Sequence, residues 1–289
     1  MKKRILLIYA NEYFLTSPVY PFGLDVIAQQ LENKGHKVCI ELPFLTHQDA
    51  SRGVLAALKD FQPDIIGVSI RNIDTAMACD PSGTFTQPGI RIHFFLPGIA
   101  QMINEIKKHY PSLPVVAGGT GFSVSPESIL KFINADFGIT GQGAGPMSIF
   151  ADAFPDMEKI KQIPNLISSK FSVPKIKELF TDLDLLPEKR NKAFNHSFET
   201  IGMPVITSSG CCMNCAYCVE PAMTKQRITL RPQKEIISEL LSISDQYQEV
   251  SEIFFVNTEF NIPGPKNSLG LIKDILSNHL NELSCRVAR

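Results

Sequence analysis

Ser208-Ser209-Gly210-Cys211-Cys212-Met213-Asn214-Cys215-Ala216-Tyr217-Cys218 follows a short apolar run, Met203 to Thr207, that reads as a strand. Three of its cysteines are spaced C-x3-C-x2-C. Three thiolates within one short loop can hold one face of a metal centre, and thiolate is the usual ligand of iron–sulfur clusters. A cubane cluster has four irons, so three protein ligands leave one iron open, as a catalytic metal centre requires. A structural zinc site would show a second Cys or Cys/His pair, and none follows. A disulfide framework does not suit so long a chain without a secretory signal. A chance cluster of buried cysteines is the remaining plain alternative.

The loop resembles the signature of the radical S-adenosylmethionine superfamily, C-x3-C-x-aromatic-C, with Tyr217 at the aromatic position. The resemblance implies that Cys211, Cys215 and Cys218 hold a [4Fe-4S] cluster whose open iron is chelated by S-adenosylmethionine, with Tyr217 beside that cofactor. An electron from the cluster then cleaves the sulfonium to methionine and a 5′-deoxyadenosyl radical. Cys212 stands outside the pattern.

The chain has 289 residues, a length that suggests two domains of ~150 residues each. A hydrophobic content of 44% suits a soluble globular protein. The net charge is −1 with no basic block, so neither nucleic acid nor an anionic membrane is an expected partner. Lys2, Lys3 and Arg4 precede an apolar stretch, Ile5 to Ala10, too short for a signal-peptide core. No run approaches the ~20 apolar residues of a spanning helix. Seven cysteines without an export signal suit a reducing, cytoplasmic setting.

The first part of the chain alternates strand and helix patterns. Strands are expected at Arg4 to Ala10, Val38 to Leu42, Asp64 to Ile70, Pro114 to Ala117 and Phe137 to Thr140. Helices are expected at Phe22 to Asn33, Arg52 to Phe61, Leu96 to His109, Pro126 to Ile133 and Met147 to Phe154. Such a series forms an α/β, Rossmann-like, doubly wound parallel sheet, which binds ligands at the carboxyl ends of its strands. The loops at those ends carry Asn11 to Pro21, Arg71-Asn72-Ile73-Asp74, Gly118-Gly119-Thr120 and Gly141-Gln142-Gly143. Paired glycines let backbone approach a flat or phosphorylated ligand, and tight packing is the other reason to find them.

Together these loops resemble the cobalamin-binding domain that precedes many radical S-adenosylmethionine domains. Its third-strand loop, S-x-R-N-x-D, is matched by Ser69, Arg71, Asn72 and Asp74. Its fourth-strand loop, G-G-x(n)-P-E, is matched by Gly118, Gly119, Pro126 and Glu127, with Thr120 following the glycine pair. Its fifth-strand loop, G-x-G, is matched by Gly141 and Gly143, whereas Gln142 stands where the family usually carries an acidic residue. The D-x-H-x-x-G triplet that supplies an axial histidine in methionine-synthase-like domains is missing. His36 sits at a helix-to-strand junction on the opposite edge and reads as a surface residue; His47 and His93 lie in loops. The expectation is cobalt without a protein imidazole, Arg71 facing its lower side, because a guanidinium has no lone pair to offer a metal. An unligated lower face favours reduced cobalt.

Cys79 to Pro97 reads as a long functional loop. Residues 155–202 read as a linker after the cobalamin-binding domain at 1–154, and within it Asp182-Leu183-Asp184-Leu185-Leu186-Pro187 resembles a turn found before radical domains. Residues 203–289 read as the N-terminal part of a radical S-adenosylmethionine (β/α) barrel. Helices are expected at Gln233 to Ser244 and Leu269 to Leu276, and strands at Glu252 to Val256 and Ser284 to Val287. Glu259, past the second strand of this domain, is the candidate to hold the amino group of S-adenosylmethionine. The superfamily barrel has six β–α units where this chain shows two and the start of a third. A piece of a longer protein, truncated within the barrel, is therefore expected.

The resemblance implies a cobalamin-dependent methyltransferase that moves a methyl group through methylcobalamin to a carbon of a small-molecule or natural-product substrate. It implies [4Fe-4S], S-adenosylmethionine and cobalamin as cofactors, and a reductant such as flavodoxin or ferredoxin. Cyclisation or rearrangement with the same cofactors, and a non-catalytic cobalamin-binding or iron–sulfur module, stay open as alternatives. No single catalytic side chain is named by the sequence.

Overall fold

The computed structural model describes residues 2–11, 20–74, 94–171, 190–194, 202–216, 218–247, 250, 252–278, 280 and 284–287. They fall into two compact units, residues 2–11 with 23–171, and 20–22 with 190–287.

In the first unit the chain runs β1 (Arg4–Tyr9), α1 (Phe22–Asn33), β2 (Lys37–Glu41), α2 (Pro43–Thr46), α3 (Ala50–Phe61), β3 (Ile65–Ser69) and α4 (Leu96–His109). It continues with β4 (Val115–Gly118), α5 (Thr120–Val124), α6 (Pro126–Phe132), β5 (Phe137–Ile139), α7 (Ala144–Ala153), α8 (Met157–Ile160) and β6 (Leu166–Ser168). The sheet order is β2-β1-β3-β4-β5-β6, parallel except for β6 against β5. This is the doubly wound sheet expected from the continuous apolar runs: strands covered by helices on both faces have no polar side to alternate with.

Side-chain alternation sorts the core into two layers. Leu6, Ile8, Ile66, Val68, Val115 and Ala117 share one layer with Val54 and Leu58 of α3 and Ile99, Ile103 and Ile106 of α4. On the other layer, a side chain at Gly67 would meet Leu7 at 2.7 Å and Met147 of α7 at 3.6 Å. Phe137 of β5 and Phe150 of α7 meet edge to face, centroids 5.0 Å apart. Phe150 and Ile103 are fully buried, so truncation of either to alanine costs about 2–5 kcal/mol. α3 is delimited by its ends: Asp49 accepts the Arg52 N–H at 3.1 Å, and Gln62 turns left-handed at φ 47°.

Several features depart from the expectations, among them short helices at α2 and α5. α7 begins before Met147 because Pro146 falls in its first turn, where no N–H is needed. β6 and α8 lie in the stretch expected to be linker. His36 is corrected from a surface residue to a buried one: its side chain is 0% exposed. Its Nδ1 accepts the Lys3 N–H at 3.1 Å, and Nε2 lies 3.2 Å from Asp152 Oδ1. It does occupy the amino edge of the sheet, since Lys37, which follows it, pairs with Arg4 at the start of β1.

In the second unit the order is β7 (Met203–Val205), β8 (Ser208–Gly210), α9 (Glu220–Thr224), β9 (Ile228–Leu230), α10 (Gln233–Gln246), β10 (Glu252–Phe255), α11 (Pro265–Ser277) and β11 (Ser284–Val287). β11-β10-β7 form a parallel sheet and β8-β9 an antiparallel pair. Ile236, Leu240 and Ile243 of α10, spaced to share one helical face, are buried. Pro265 opens α11 at a first-turn position, which places its start before Leu269. Among the described residues no helix is long and apolar enough to cross a membrane.

Candidate functional site

The cysteine loop leaves β8 at Gly210 and returns at β9, and the register Ser208↔Leu230, Ser209↔Thr229, Gly210↔Ile228 closes its base. Gly210 has φ +84°, and a side chain there would collide with the Arg227 carbonyl, so this turn admits only glycine. Within the loop the Cys218 N–H reaches the Cys215 carbonyl at 3.0 Å, a turn that brings those two residues to one side. Cys211 is buried, Cys215 and Cys218 are half-buried and Cys212 is exposed; all four are free of disulfides. Among the described residues no three His, Cys, Asp or Glu side chains gather at the spacing of a single metal ion. Three uncommitted thiols on one closed loop are a donor set that suits an iron–sulfur cluster, whose irons are spread over a cube. Tyr217 lies outside the described residues. Burial raises the carboxyl of Glu220, just past the loop, above the ordinary glutamate range.

Asn257, past the end of β10, ties the entrance of this loop to the neighbouring strand. Its Nδ2 donates to the hydroxyls of Thr207 and Ser208, both at 2.6 Å, and its Oδ1 accepts the Thr207 N–H at 3.4 Å. An aspartate could not make the two donations, which is a physical reason for the amide here. Glu259, two residues on, is exposed and accepts the Asn261 N–H at 3.3 Å. It thus stands near the carboxyl end of a parallel strand, facing water.

In the first unit the order β2-β1-β3 puts the topological switch point between β1 and β3. β3, β4 and β5 are neighbours, so the loops bearing Ser69, Arg71, Asn72 and Asp74, then Gly118, Gly119 and Thr120, then Gly141 and Gly143, line up along one edge. The β4 turn is keyed into the β3 loop. Ile70 N–H reaches the Gly118 carbonyl at 2.8 Å, and Gly121 N–H reaches the Ile70 carbonyl at 3.0 Å. A side chain at Gly119 (φ +101°) would collide with the Ile70 carbonyl, and one at Gly121 would meet the Arg71 carbonyl at 2.8 Å. Packing therefore explains Gly119 and Gly121.

Gly141 is different: with φ +72° it has nothing among the described residues within 4 Å of where a side chain would sit. At Gly118 the one neighbour among the described residues is the Ile139 carbonyl at 3.4 Å. A side chain at Gly143 would meet Ile27 at 3.1 Å. Bare backbone at Gly118 and Gly141 is the kind of surface a flat ligand can approach. Arg71 is half-buried, Asn72 and Thr120 are exposed, and Asp74 makes a bridge with Phe94. Asn11, past β1 at this edge, is 2% exposed, and its Oδ1 has no hydrogen-bond partner among the described residues. His47 is exposed in the loop between α2 and α3, beside Gly53, and His93 lies outside the described residues.

Ser123 was not marked by any motif. Its hydroxyl donates to the Gly119 carbonyl at 2.9 Å and accepts the Gly141 N–H at 3.0 Å, joining two of the three loops.

The fold of this chain is similar to that of cobalamin-dependent radical S-adenosylmethionine enzymes. The radical S-adenosylmethionine methyltransferase TsrM from Kitasatospora setae, solved with cobalamin and a [4Fe-4S] cluster, superposes with a TM-score of 0.78 at 22% identity, over 99% of this chain and 54% of that one. The same enzyme solved with tryptophan and a S-adenosylmethionine analogue gives a TM-score of 0.78 over 98% of this chain. OxsB, a cobalamin-dependent S-adenosylmethionine radical enzyme, gives 0.69 at 15% identity, over 96% of this chain and 37% of that one. In sequence, the chain is 30% identical over 146 residues to tryptophan 2-C-methyltransferase of Streptomyces laurentii, a match over 49% of this chain and 21% of that protein. The chain thus spans about half the length of TsrM. No family model matches it.

Proposed function

We propose that this chain is the cobalamin-binding part and the leading barrel part of a radical S-adenosylmethionine methyltransferase. Its substrate is a small aromatic molecule carrying an acceptor carbon, with tryptophan the first to test. The observation that carries the reading is the closed three-cysteine loop of one unit together with the three-loop glycine edge of the other, in a chain 30% identical to a tryptophan methyltransferase over 146 residues.

In this reading Cys211, Cys215 and Cys218 hold a [4Fe-4S] cluster, and Tyr217 and Glu259 hold S-adenosylmethionine, Glu259 through its exposed carboxylate. Ser69, Arg71, Asn72, Asp74, Gly118, Gly119, Thr120, Gly141 and Gly143 line the cobalamin, with Arg71 toward the lower face of the corrin. When bound, these cofactors supply electron transfer and a transferable methyl group, while the protein supplies position and excludes water. Gly118 and Gly141 offer backbone to the ligand, and Ser123 keeps their loops in register. The guanidinium of Arg71 has no lone pair to offer a metal. The proposed domain division is 1–154 for cobalamin, 155–202 for the connection and 203–289 for the barrel, with α8 and β6 of the connection folded into the first unit. A cytoplasmic setting and a flavodoxin or ferredoxin reductant accompany this chemistry.

The test is anaerobic reconstitution of the whole protein with iron, sulfide and cobalamin, then incubation with S-adenosylmethionine, reductant and tryptophan. A product heavier by one methyl group, formed with S-adenosylhomocysteine, is expected. A rearranged product of unchanged carbon count would replace methylation with the same cofactors, and colourless protein holding zinc would end the reading.

A further inference from the structure

Behind the cysteine loop lies a charge cluster that no part of the proposed chemistry uses. Glu239 of α10 takes the Arg190 guanidinium on one carboxylate oxygen and the Arg231 guanidinium on the other. The three side chains are 16%, 4% and 9% exposed. Two cations sharing one anion away from water is a costly arrangement unless their remaining donors are used.

Most of those donors go to the backbone around β7, while Arg231 Nε makes no hydrogen bond among the described residues and lies 3.7 Å from Glu235. Arg190 donates to the Pro204 carbonyl from Nε at 3.2 Å and from Nη2 at 2.6 Å. Arg231 donates to the Ile206 carbonyl from Nη1 at 3.3 Å, and its own N–H reaches the Thr207 carbonyl at 2.9 Å. The Val205 carbonyl accepts the Val256 N–H, 2.9 Å away beyond β10. Backbone groups alternate sides along a strand, so the carbonyls of 204 and 206 point to the other side of β7, where β7 has no strand partner among the described residues. Proline at 204 brings no N–H to that side. Arg190 therefore occupies the outer edge of β7 at Pro204 and Arg231 holds the segment 206–207 just past it, so together they fix the backbone from 204 to 207, which leads directly into β8 and Cys211. Asn257 holds Thr207 and Ser208 from the side of β10.

We infer that Glu239 is a positioning residue for the cysteine loop: by orienting Arg190 and Arg231 it sets the backbone from which Cys211 is presented. This rests on the reading of Cys211, Cys215 and Cys218 as cluster ligands. Hydrogen bonding and geometry around cysteine ligands tune an iron–sulfur cluster, so the effect is visible in the cluster itself.

The experiment compares wild type, Glu239→Gln, Arg231→Lys and Glu235→Gln in the whole protein, reconstituted anaerobically with iron and sulfide. Fold is followed by circular dichroism, cluster loading by iron content, and the reduced cluster by electron paramagnetic resonance with and without S-adenosylmethionine. Glu239→Gln keeps the shape and removes the charge. Arg231→Lys keeps the charge but gives up the fork that spans Glu239 and the Ile206 carbonyl. Both variants are expected to lose at least about half of the bound iron, or to shift the resonance spectrum. Glu235→Gln, whose exposed carboxylate lies 3.7 Å from Arg231, is expected to match wild type. Should Glu239→Gln not fold, Arg231→Lys carries the test. A folded variant of either kind with wild-type iron and spectrum overturns the proposal. A wild type that takes up no iron overturns the cluster reading, and this proposal with it.

Discussion

The Ser123 hydroxyl accepts the Gly141 N–H at 3.0 Å across the sheet edge, while its proton goes to the Gly119 carbonyl at 2.9 Å. One oxygen thus sets the spacing of the loops after β4 and β5. Ser123→Ala deprives a half-buried N–H of its partner, a cost of about 1–3 kcal/mol. Aquacobalamin titrated into Ser123→Ala is expected to bind about tenfold more weakly than to wild type, with Ser123→Thr recovering most of the loss. Equal affinities would remove Ser123 from the ligand edge.

Gly119 and Gly141 share a positive φ but not their surroundings. Gly119→Ala places a methyl group against the Ile70 carbonyl, whereas Gly141→Ala places it clear of every described residue. Chemical denaturation is expected to show Gly119→Ala destabilised by several kcal/mol, from the clash together with backbone strain of about 1–3 kcal/mol. Gly141→Ala loses about 1 kcal/mol, from the left-handed backbone alone. Cobalamin affinity is expected to fall in the Gly141 variant despite its near-normal stability. A fully stable Gly119→Ala protein would contradict the packing described.

Burial holds the His36 imidazole below the ordinary histidine range, and the attraction of Asp152 offsets this only in part. The folded state therefore prefers the neutral ring, while the unfolded chain takes up a proton near pH ~6.5. Its stabilising contribution is full above that pH and is lost as pH falls toward the lower folded value. Asp152 is held below the usual carboxylate range by its hydrogen bond to Lys34, so its contribution disappears only in stronger acid. Denaturation midpoints of wild type are expected to fall between about pH 7 and 5, and those of His36→Gln to be flatter across that interval. Parallel curves would exclude His36 as the cause.

Cys212 is exposed beside buried Cys211. Cys212→Ala is expected to keep the iron content and visible absorbance of reconstituted wild type. Cys211→Ala, Cys215→Ala and Cys218→Ala are each expected to lose most of both. A loss in Cys212→Ala equal to the others would redraw the ligand set.

Much of this architecture is written in local pattern. Runs such as Ile65 to Val68 declare buried strands because nothing polar interrupts them, and α1, α4 and β11 match the expected bounds. β6 is hidden because Leu166–Ser168 is a three-residue strand that pairs antiparallel outside the β–α rhythm. α5 is hidden because its glycine is chosen for contact with the Arg71 carbonyl rather than for helix propensity. His36 follows a glycine turn, a surface signal, and is buried by Lys3 and Asp152, which are distant in sequence. Ser123, Asn257 and Glu239 share that cause: each acts where separate segments meet. The cysteine spacing, by contrast, needs no folding to be read.

β6 sends the polypeptide back down the sheet. Leu166 lies beside Ile139 at the carboxyl end of β5 and Ser168 beside Phe137 at its start, so the strand finishes on the floor of the sheet, away from the glycine loops. A fluorophore or short insertion placed just after Ser169 would therefore report unfolding of this unit while leaving the ligand edge unencumbered, which makes that corner a practical handle for watching cofactor uptake and folding separately.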